Sequence, residues 1–531
     1  MTNDRRLSLL FAAALLISGC ADHGNGGSGG GGGTFTITTT AAPFGVVGSN
    51  YSTTMATAGG TAPFTWMLFG GSLPAGLNLT NTATGAVTGT PTPPAGNSTA
   101  TFTVRDSTGK TATGSVLFAV HPRTDRVSVD NSGTTGNGAS STPSISGDGS
   151  LVAFVSQATN LVTGVSGSQI YVHNRQTNQA EVVSRDSNAS VIQGNGVSSA
   201  PAISADGRFV TFVSQSTNLV PGVSGQQVYL RDRQIGKTTL VSSSSSGVIS
   251  TGTVTGAPSI SSDGQFIGFT SNAPNLVSGV IGQQIFLRDN IAGTTTLISK
   301  DNNSVPLPGN AASDHAWVSS DGRFIAFASL ATNLVVVVGS NQQIFIHDRL
   351  AGPNGTTTLI SRDSGGIAAN GNSSTPSASG DGRFVTFASV ATNLVVGPTG
   401  QQIYLHDRNT GANGTNSLVS QNNSGVPTQG GNGASSLPSI SLNGQVVTFV
   451  SLSTDLLTGI SGQQVYSRDL AAGTTNLVSR DNNLALIPGS GVSTSPSASS
   501  DGSFVAFSSQ SNNLVPVPPV APSDIYVRAL P

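Results

Sequence analysis

The sequence predicts an all-β protein: a small antiparallel sandwich followed by a seven-bladed β-propeller closed by an N-terminal strand. Three observations predict it. The turn Asp-Gly recurs at Asp148, Asp206, Asp263, Asp321 and Asp381, as Asn443-Gly444, and at Asp501, with spacings of 58, 57, 58, 60, 62 and 58 residues. Each repeat holds four runs of alternating apolar and polar residues, the size of one propeller blade, because a lone four-stranded sheet cannot bury both faces. The seventh repeat stops at Ile525-Tyr526-Val527-Arg528 without a fourth run. A run of fourth-strand type, Arg126-Val127-Ser128-Val129-Asp130, stands ahead of the first.

Composition sets the outer bounds. Charged residues are 9% of the 531, formal charge is 22 − 24 = −2, and only Lys110, Lys237 and Lys300 are lysines. That leaves no electrostatic footprint for nucleic acid or an anionic membrane. A single Cys excludes a disulfide framework, a thiolate metal cluster and an iron–sulfur site. Arg5 and Arg6 precede an apolar run, Leu7 to Ser18, which is shorter than the roughly 20 residues that span a bilayer and fits a signal peptide. The run ends in Ile17-Ser18-Gly19-Cys20, which resembles the bacterial lipobox. The resemblance implies removal of residues 1–19 and lipid attachment at Cys20. A twin-arginine signal is the weaker reading, since Ser8 breaks its hydrophobic pair. Residues 20–33 form a Gly-rich tether spanning roughly 20 Å as a coil. Ala21, rather than Asp, after the Cys implies the outer membrane, on its periplasmic side or at the cell surface.

Residues 34–121 form the first folded unit. Short alternating runs such as Thr99–Val104, broken by Gly and Pro, predict a small antiparallel sandwich. Gly59-Gly60-Thr61-Ala62-Pro63-Phe64-Thr65-Trp66, Leu73-Pro74-Ala75-Gly76-Leu77, Gly85 and Gly89-Thr90-Pro91 resemble the bacterial putative immunoglobulin family, He_PIG. The resemblance implies an Ig-like sandwich used as a spacer, with Trp66 as its buried anchor. Neighbouring cadherin-like domains bind calcium through clustered acids, but Asp106 is the only acid between Thr34 and Val120. Calcium wants six to eight oxygens, so no strong site is expected.

Residues 122–531 hold the repeats. The second unit reads Pro201-Ala202-Ile203, Asp206-Gly207, Phe209–Ser214, Thr217–Val220, Gln226–Arg233 and Thr238–Ser242. An Asp-Gly hairpin is expected to form a type I′ turn. This pattern resembles the TolB-type (WD40-like) propeller repeat from about Arg126 onward. The second-strand Phe series, Phe154 to Phe507, reads as inter-blade core, and the third-strand aromatics as core or half-exposed.

Catalytic chemistry finds no foothold. Of 24 acids, 23 are Asp, and sixteen recur at fixed repeat positions as blade mechanics. A glycosidase needs two carboxylates about 5 or about 6.5–9.5 Å apart, and the remaining acids are scattered. No catalytic residue, cofactor or metal site is assigned. His173, His347 and His406 share one third-strand position, filled by Arg231 elsewhere, which reads as a polar surface slot. The loop after Asn-Leu-Val lacks the acids that calcium-binding relatives of the repeat carry.

The ligand candidates sit in the fourth unit. Where other units have Pro-Ser-Ile or a variant such as Pro201-Ala202-Ile203, this unit has His315-Ala316-Trp317 preceded by Asp314. Long loops gather at one end of a propeller because its strands alternate in direction, so that end is expected to vary and make contacts. Asp314, His315 and Trp317 would lie near the channel mouth there, with Trp317 stacking on a sugar or packing on a peptide. The expected function is a monomeric surface lipoprotein of the envelope, held to the membrane only through Cys20, whose propeller is a non-catalytic binding platform for protein or carbohydrate. The alternative is a structural envelope spacer; a propeller glycosidase or a calcium-binding adhesin stands behind both.

Overall fold

The computed structural model describes residues 34–92, 96–188, 192–336, 339–423, 429–482 and 487–530. Cys20, the signal segment and the Gly-rich tether lie outside them.

The N-terminal unit is a two-sheet sandwich. One sheet orders Gly45–Val46, Thr111–His121, Gly96–Arg105 and Thr65–Gly71; the other orders Tyr51–Thr54, Ala86–Gly89 and Leu77–Asn81. Trp66, 2% exposed, fills the space between them with Phe102 and Phe118. Gly85 lies flat against the indole, where a Cβ would come within 2.9 Å. Asp106 is spent on its own turn, accepting from the backbone of Thr61, Thr108 and Lys110.

Seven four-stranded antiparallel sheets follow. In every blade the second-strand Phe stacks on the third-strand aromatic opposite it, with ring centroids 5.7–6.0 Å apart. Both rings are buried, so both aromatic series are core. Each stack adds about 0.5–1.5 kcal/mol beyond burial. In six blades a third-strand Gln, from Gln169 to Gln464, accepts a 2.5–2.6 Å bond from a Ser just past the fourth strand. This pins the outer strand from within.

The hairpin turn differs from the expected type I′. Only the Gly has positive φ, between 67° and 77°; the Asp before it does not. The turn is a type I turn closed by a left-handed Gly. The Asp carboxylate fixes it by accepting from the Ser two residues earlier, as Ser146 Oγ does to Asp148 at 2.7 Å. The Gly is required twice over. Its φ disfavours a side chain, and a Cβ would lie 2.0–2.7 Å from a side chain of the preceding blade, such as Phe504 for Gly149 or Phe266 for Gly322.

The ring closes through the N-terminal strand, Thr124–Arg126, which pairs antiparallel with Asp524–Ala529. Val127 N–H continues the ladder to Ile525 O at 2.9 Å. The strand thus begins two residues before the expected Arg126–Asp130 run. Val129 and Asp130 lie in the turn beyond it, where Asp130 accepts from Ser132 and Thr134. A bridged exit follows every fourth strand, opened by Val-Ser or Ile-Ser, so this dipeptide marks the strand end.

Closure carries its own chemistry. Asp524 stands where the other blades have Gln, and accepts from Ser128 Oγ at 2.7 Å. Arg126 stands opposite Tyr526, where the other blades put Leu or Val against the ring. Its Nε lies 3.2 Å from Asp524 Oδ2, with both side chains buried. Burial still pushes the Asp524 carboxyl up. Only Pro122 and Arg123 separate this strand from the sandwich, and Arg123 donates back to the carbonyls of Val47 and Gly48. The Arg175 guanidinium lies between Phe44 of the sandwich and Phe504 of the seventh blade, 4.6 and 5.1 Å from their rings.

Breaking a buried ion pair strands a charge and costs about 3–5 kcal/mol, whereas replacing both partners can be neutral. Arg126→Leu and Asp524→Gln should therefore each lower stability by about 3 kcal/mol in denaturant melts. The double variant, which restores the chemistry of the other six blades, should recover most of it. Additive losses would show that the pair does not act as a unit.

Candidate functional site: the central channel

The innermost strands of all seven blades line an axial cavity of about 340 Å³, within the size range of small-ligand sites. Each of these strands bulges at one residue in the left-handed region: Thr142, Ala200, Gly256, His315, Thr375, Leu437 and Ser495, with φ between 45° and 77°. Six of the seven are not Gly. The strain is held by the ladder on both sides and turns the next residues toward the axis.

At the Asp-Gly end, backbone hydrogen bonds run from blade to blade around the axis. Gly147 N–H donates to Ala205 O at 2.8 Å, and the chain continues through Ser262, Ser320, Gly380 and Leu442. Asn443 then donates to Ser500 O, and Ser500 closes the circuit on Gly147 O at 2.9 Å. Midway along the channel stands a ring of small residues: Ser144, Ala202, Ser259, Ser377, Ser439 and Ser497, with Trp317 as the seventh. Four of the serines accept from the backbone N–H of the next blade, as Ser144 Oγ does from Ile203 at 3.1 Å.

The pattern breaks at the third and fourth blades. Ser259 Oγ is buried without a hydrogen-bond partner among the described residues. Its own strand, Val254–Ile260, is one residue longer than its counterparts. Trp317 fills a ring position otherwise held by Ser or Ala. It is half-buried, packing against the core of the fifth blade on one side and lining the channel on the other. Its register therefore corrects the sequence alignment by one residue. Trp317 pairs with Ala326 as Ser144 pairs with Ala153, and Val318 takes the place of Ile. With a side-chain period of two, that slip moves Trp317 from the core face to the channel face.

His315 is the bulged residue of this strand and also lines the channel. Its Nδ1 lies 3.0 Å from Asp314 Oδ1, which also accepts from Gln342 Nε2 at 3.2 Å. The Asp314 hydrogen bond raises the His315 pKa. The structure thus brings Asp314, His315 and Trp317 onto one strand, with Asp314 behind the imidazole rather than on the channel wall. Gln342 was not foreseen. Its counterparts Gln226, Gln283, Gln401 and Gln463 reach a backbone carbonyl of the next blade; Gln342 turns to Asp314. It belongs to the recurring Gln-Gln pair, so nothing in the sequence marks it out. No carboxylate lines the channel among the described residues.

The long-loop face is more regular than expected. Asn137 and Thr159 exchange Nδ2–H···Oγ1 and N–H···Oδ1 bonds of 2.9 and 2.8 Å, and Asn160 Nδ2 ties the loop to Thr135 O. Related Asn, Thr or Ser bonds lock the two loops in the other blades. Length here comes with a fixed ladder, so this end is not a set of free, variable loops. What varies is the residue after the second strand. The fourth to sixth blades expose Leu330, Val390 and Leu452, 42–51% exposed, where the others place Gln157, Gln215, Asn272 and Gln510.

The shared position of His173, His347 and His406 is a buried inter-blade slot, which corrects its reading as a surface one: all three are at most 2% exposed. Arg231 in the same slot donates to Asp186 O of the preceding blade. His347 Nδ1 pairs with Thr357 Oγ1 and His406 Nδ1 with Asn416 Oδ1. Burial pushes His173 and His347 down to about 4 and lowers His406.

Residues 33–121 match the family model described as "Putative Ig domain" (He_PIG). No curated protein matches the chain. Among solved structures, an oligogalacturonate lyase in complex with manganese is 12% identical, covering 77% of this chain and 93% of its own, with a TM-score of 0.48. The β-propeller domain of the Trilobed protease from Pyrococcus furiosus is 11% identical over 74% of this chain and 94% of its own, with a TM-score of 0.44.

The buried imidazoles stay neutral in the folded chain, whereas the unfolded chain takes up protons near pH 6.5. Stability is therefore present above that pH and falls as pH drops toward 4. In His347→Gln, the stability lost between pH 7 and pH 5 in urea melts should shrink by about 2 kcal/mol. An unchanged pH dependence would show that His347 does not contribute to it.

Proposed function

We propose that the chain is an envelope protein, lipid-anchored through Cys20, whose propeller channel binds a neutral carbohydrate against the fourth blade without catalysing its conversion. The carrying observation is Trp317, an aromatic lining the channel at a ring position where the other blades place Ser or Ala. An indole offers a face to the C–H side of a sugar and an N–H to its hydroxyls. The His315 imidazole supplies a polar partner on the same wall. The lack of a channel carboxylate supports binding rather than glycoside hydrolysis, which uses two.

A glycan array followed by titration of the best neutral oligosaccharide tests this reading. Trp66 is buried in the sandwich, so a ligand-induced change in indole fluorescence reports on Trp317. Trp317→Ser, the residue that five other blades carry there, should weaken binding at least about tenfold, the usual scale for losing an aromatic anchor, with the melting temperature little changed. Wild-type affinity in this variant would place the site elsewhere. A protein ligand on the long-loop face is the second reading, favoured by Leu330, Val390 and Leu452 on the three blades beginning with that of Trp317. Crosslinking on intact cells that captures one dominant protein through these blades would favour it.

The anchor is tested separately. Cys20→Ser should shift the protein from the membrane fraction to the soluble one, because no other Cys can be acylated. Undiminished membrane association would remove the lipid from the account.

A further inference from the structure

The seam between the first and second blades shows how this fold neutralises clustered arginines. Arg185, Arg231 and Arg233 gather there, and Glu181 answers them, with Arg233 Nε 2.6 Å from its carboxylate. The seam between the sixth and seventh blades repeats this geometry with two substitutions, one of them Leu530 in the place of Arg233, and one addition. Arg480 and Arg528 take the places of Arg185 and Arg231. Asn476 holds the position of Glu181: Glu181 pairs with Val172 as Asn476 pairs with Ser467. Arg123 enters from the linker to the sandwich as a third cation.

These three arginines, with Asn476, Leu477 and Leu530, surround a cavity of about 50 Å³. None of the three forms an ion pair among the described residues. Arg528 Nη1 is committed to Thr124 Oγ1 and to the carbonyls of Arg480 and Asp481, and Arg123 to those of Val47 and Gly48. Burial, together with the charges of Arg480 and Arg123, lowers Arg528 to about 9, while Asp481 partly offsets them. In a chain with only 22 Lys and Arg, converging three without a facing carboxylate is costly unless an anion completes the set.

We propose that this seam binds a small tetrahedral oxyanion, phosphate or sulfate, held by Arg123, Arg480 and Arg528. The anion takes the place that Glu181 fills at the first seam. It joins the sandwich linker to the sixth blade beside the strand that closes the ring, so its binding stiffens the junction of the two units. Guanidinium forks match oxyanion geometry better than ammonium groups do, and the site uses arginine only.

The test is thermal melting of the full chain with added inorganic phosphate against chloride at matched ionic strength. Phosphate stabilises many proteins by exclusion from their surfaces, so the deciding quantity is the difference between wild type and variants. Wild type should gain about 3 °C more than the variants at saturating phosphate. Asn476→Glu supplies the carboxylate of the first seam; it should melt at or above wild type in chloride and lose the extra phosphate shift. Arg480→Gln should lose the shift as well. An equal phosphate shift in wild type and Asn476→Glu, or in wild type and Arg480→Gln, would overturn the proposal.

Discussion

A ring of sheets has no free edge only if its last sheet is completed from the other end of the chain, and most of what distinguishes this molecule follows from that constraint. Thr124–Arg126 is three residues long and has no hairpin of its own. Its backbone ladder alone is too short to resist opening. The seventh blade therefore replaces the neutral Gln and Leu of its siblings with Asp524 and Arg126, a buried charge pair that exists only when the strand is docked. The sandwich then sits two residues upstream, and Arg175 clamps Phe44 to Phe504 across the junction. The Ig-like unit is thus built into the closure as well as standing ahead of it.

The remaining blades hold the same position with a neutral Gln–Ser bond. Their polar interior groups are paired by Gln–Ser bonds, Asn–Thr ladders and backbone bonds around the axis. That accounts for a folded body with 9% charged residues. Buried polar groups cost little when every donor has an acceptor, and a repeat needs to solve that pairing once. The Asp-Gly turn does two jobs in this scheme. Its Asp caps the hairpin, and its Gly leaves room for the neighbouring blade's Phe, so one dipeptide sets both the turn and the spacing between sheets.

Most of the fold was legible because repetition displays mechanics. Six copies of Asp-Gly and one of Asn-Gly, seven of the Phe series and five of the Gln-Gln start revealed blade number, strand count and the displaced fourth strand. What stayed hidden is what repetition does not encode. The axial backbone ring uses no side chains, so no residue type signals it. The histidine slot was misjudged because His and Arg at one position suggest a polar surface, whereas Arg231 is a buried bridge to the preceding blade and His347 and His406 are buried against the fourth strands of their own blades. The site was half legible. Asp314, His315 and Trp317 announced themselves by departing from the motif, but their alignment to it was one residue out, and Trp317 takes the ring position of Ser rather than that of Ile. The bulge that settles the register is a backbone feature, and besides His315 and Gly256 its counterparts are Thr, Ala, Leu or Ser, without a shared signature.

In a sevenfold structure, function is best sought where symmetry fails without a mechanical cause. Arg126 and Asp524 fail for a reason already in view, since they close the ring. Gly355 and Gly414 occur only in two blades whose slot holds His, and their missing Cβ atoms leave room for the imidazoles. The blade-four wall has no such explanation. A Trp where six blades have Ser or Ala, a Gln diverted from its usual carbonyl, a Ser259 unpaired among the described residues and a lengthened neighbouring strand all fall within the third and fourth blades. Each would be a small defect if the channel served only as packing, because a Ser in place of Trp317 would restore the pairing used elsewhere in the ring. The convergence of these departures on two adjacent blades is the structural ground for seeking the proposed ligand there.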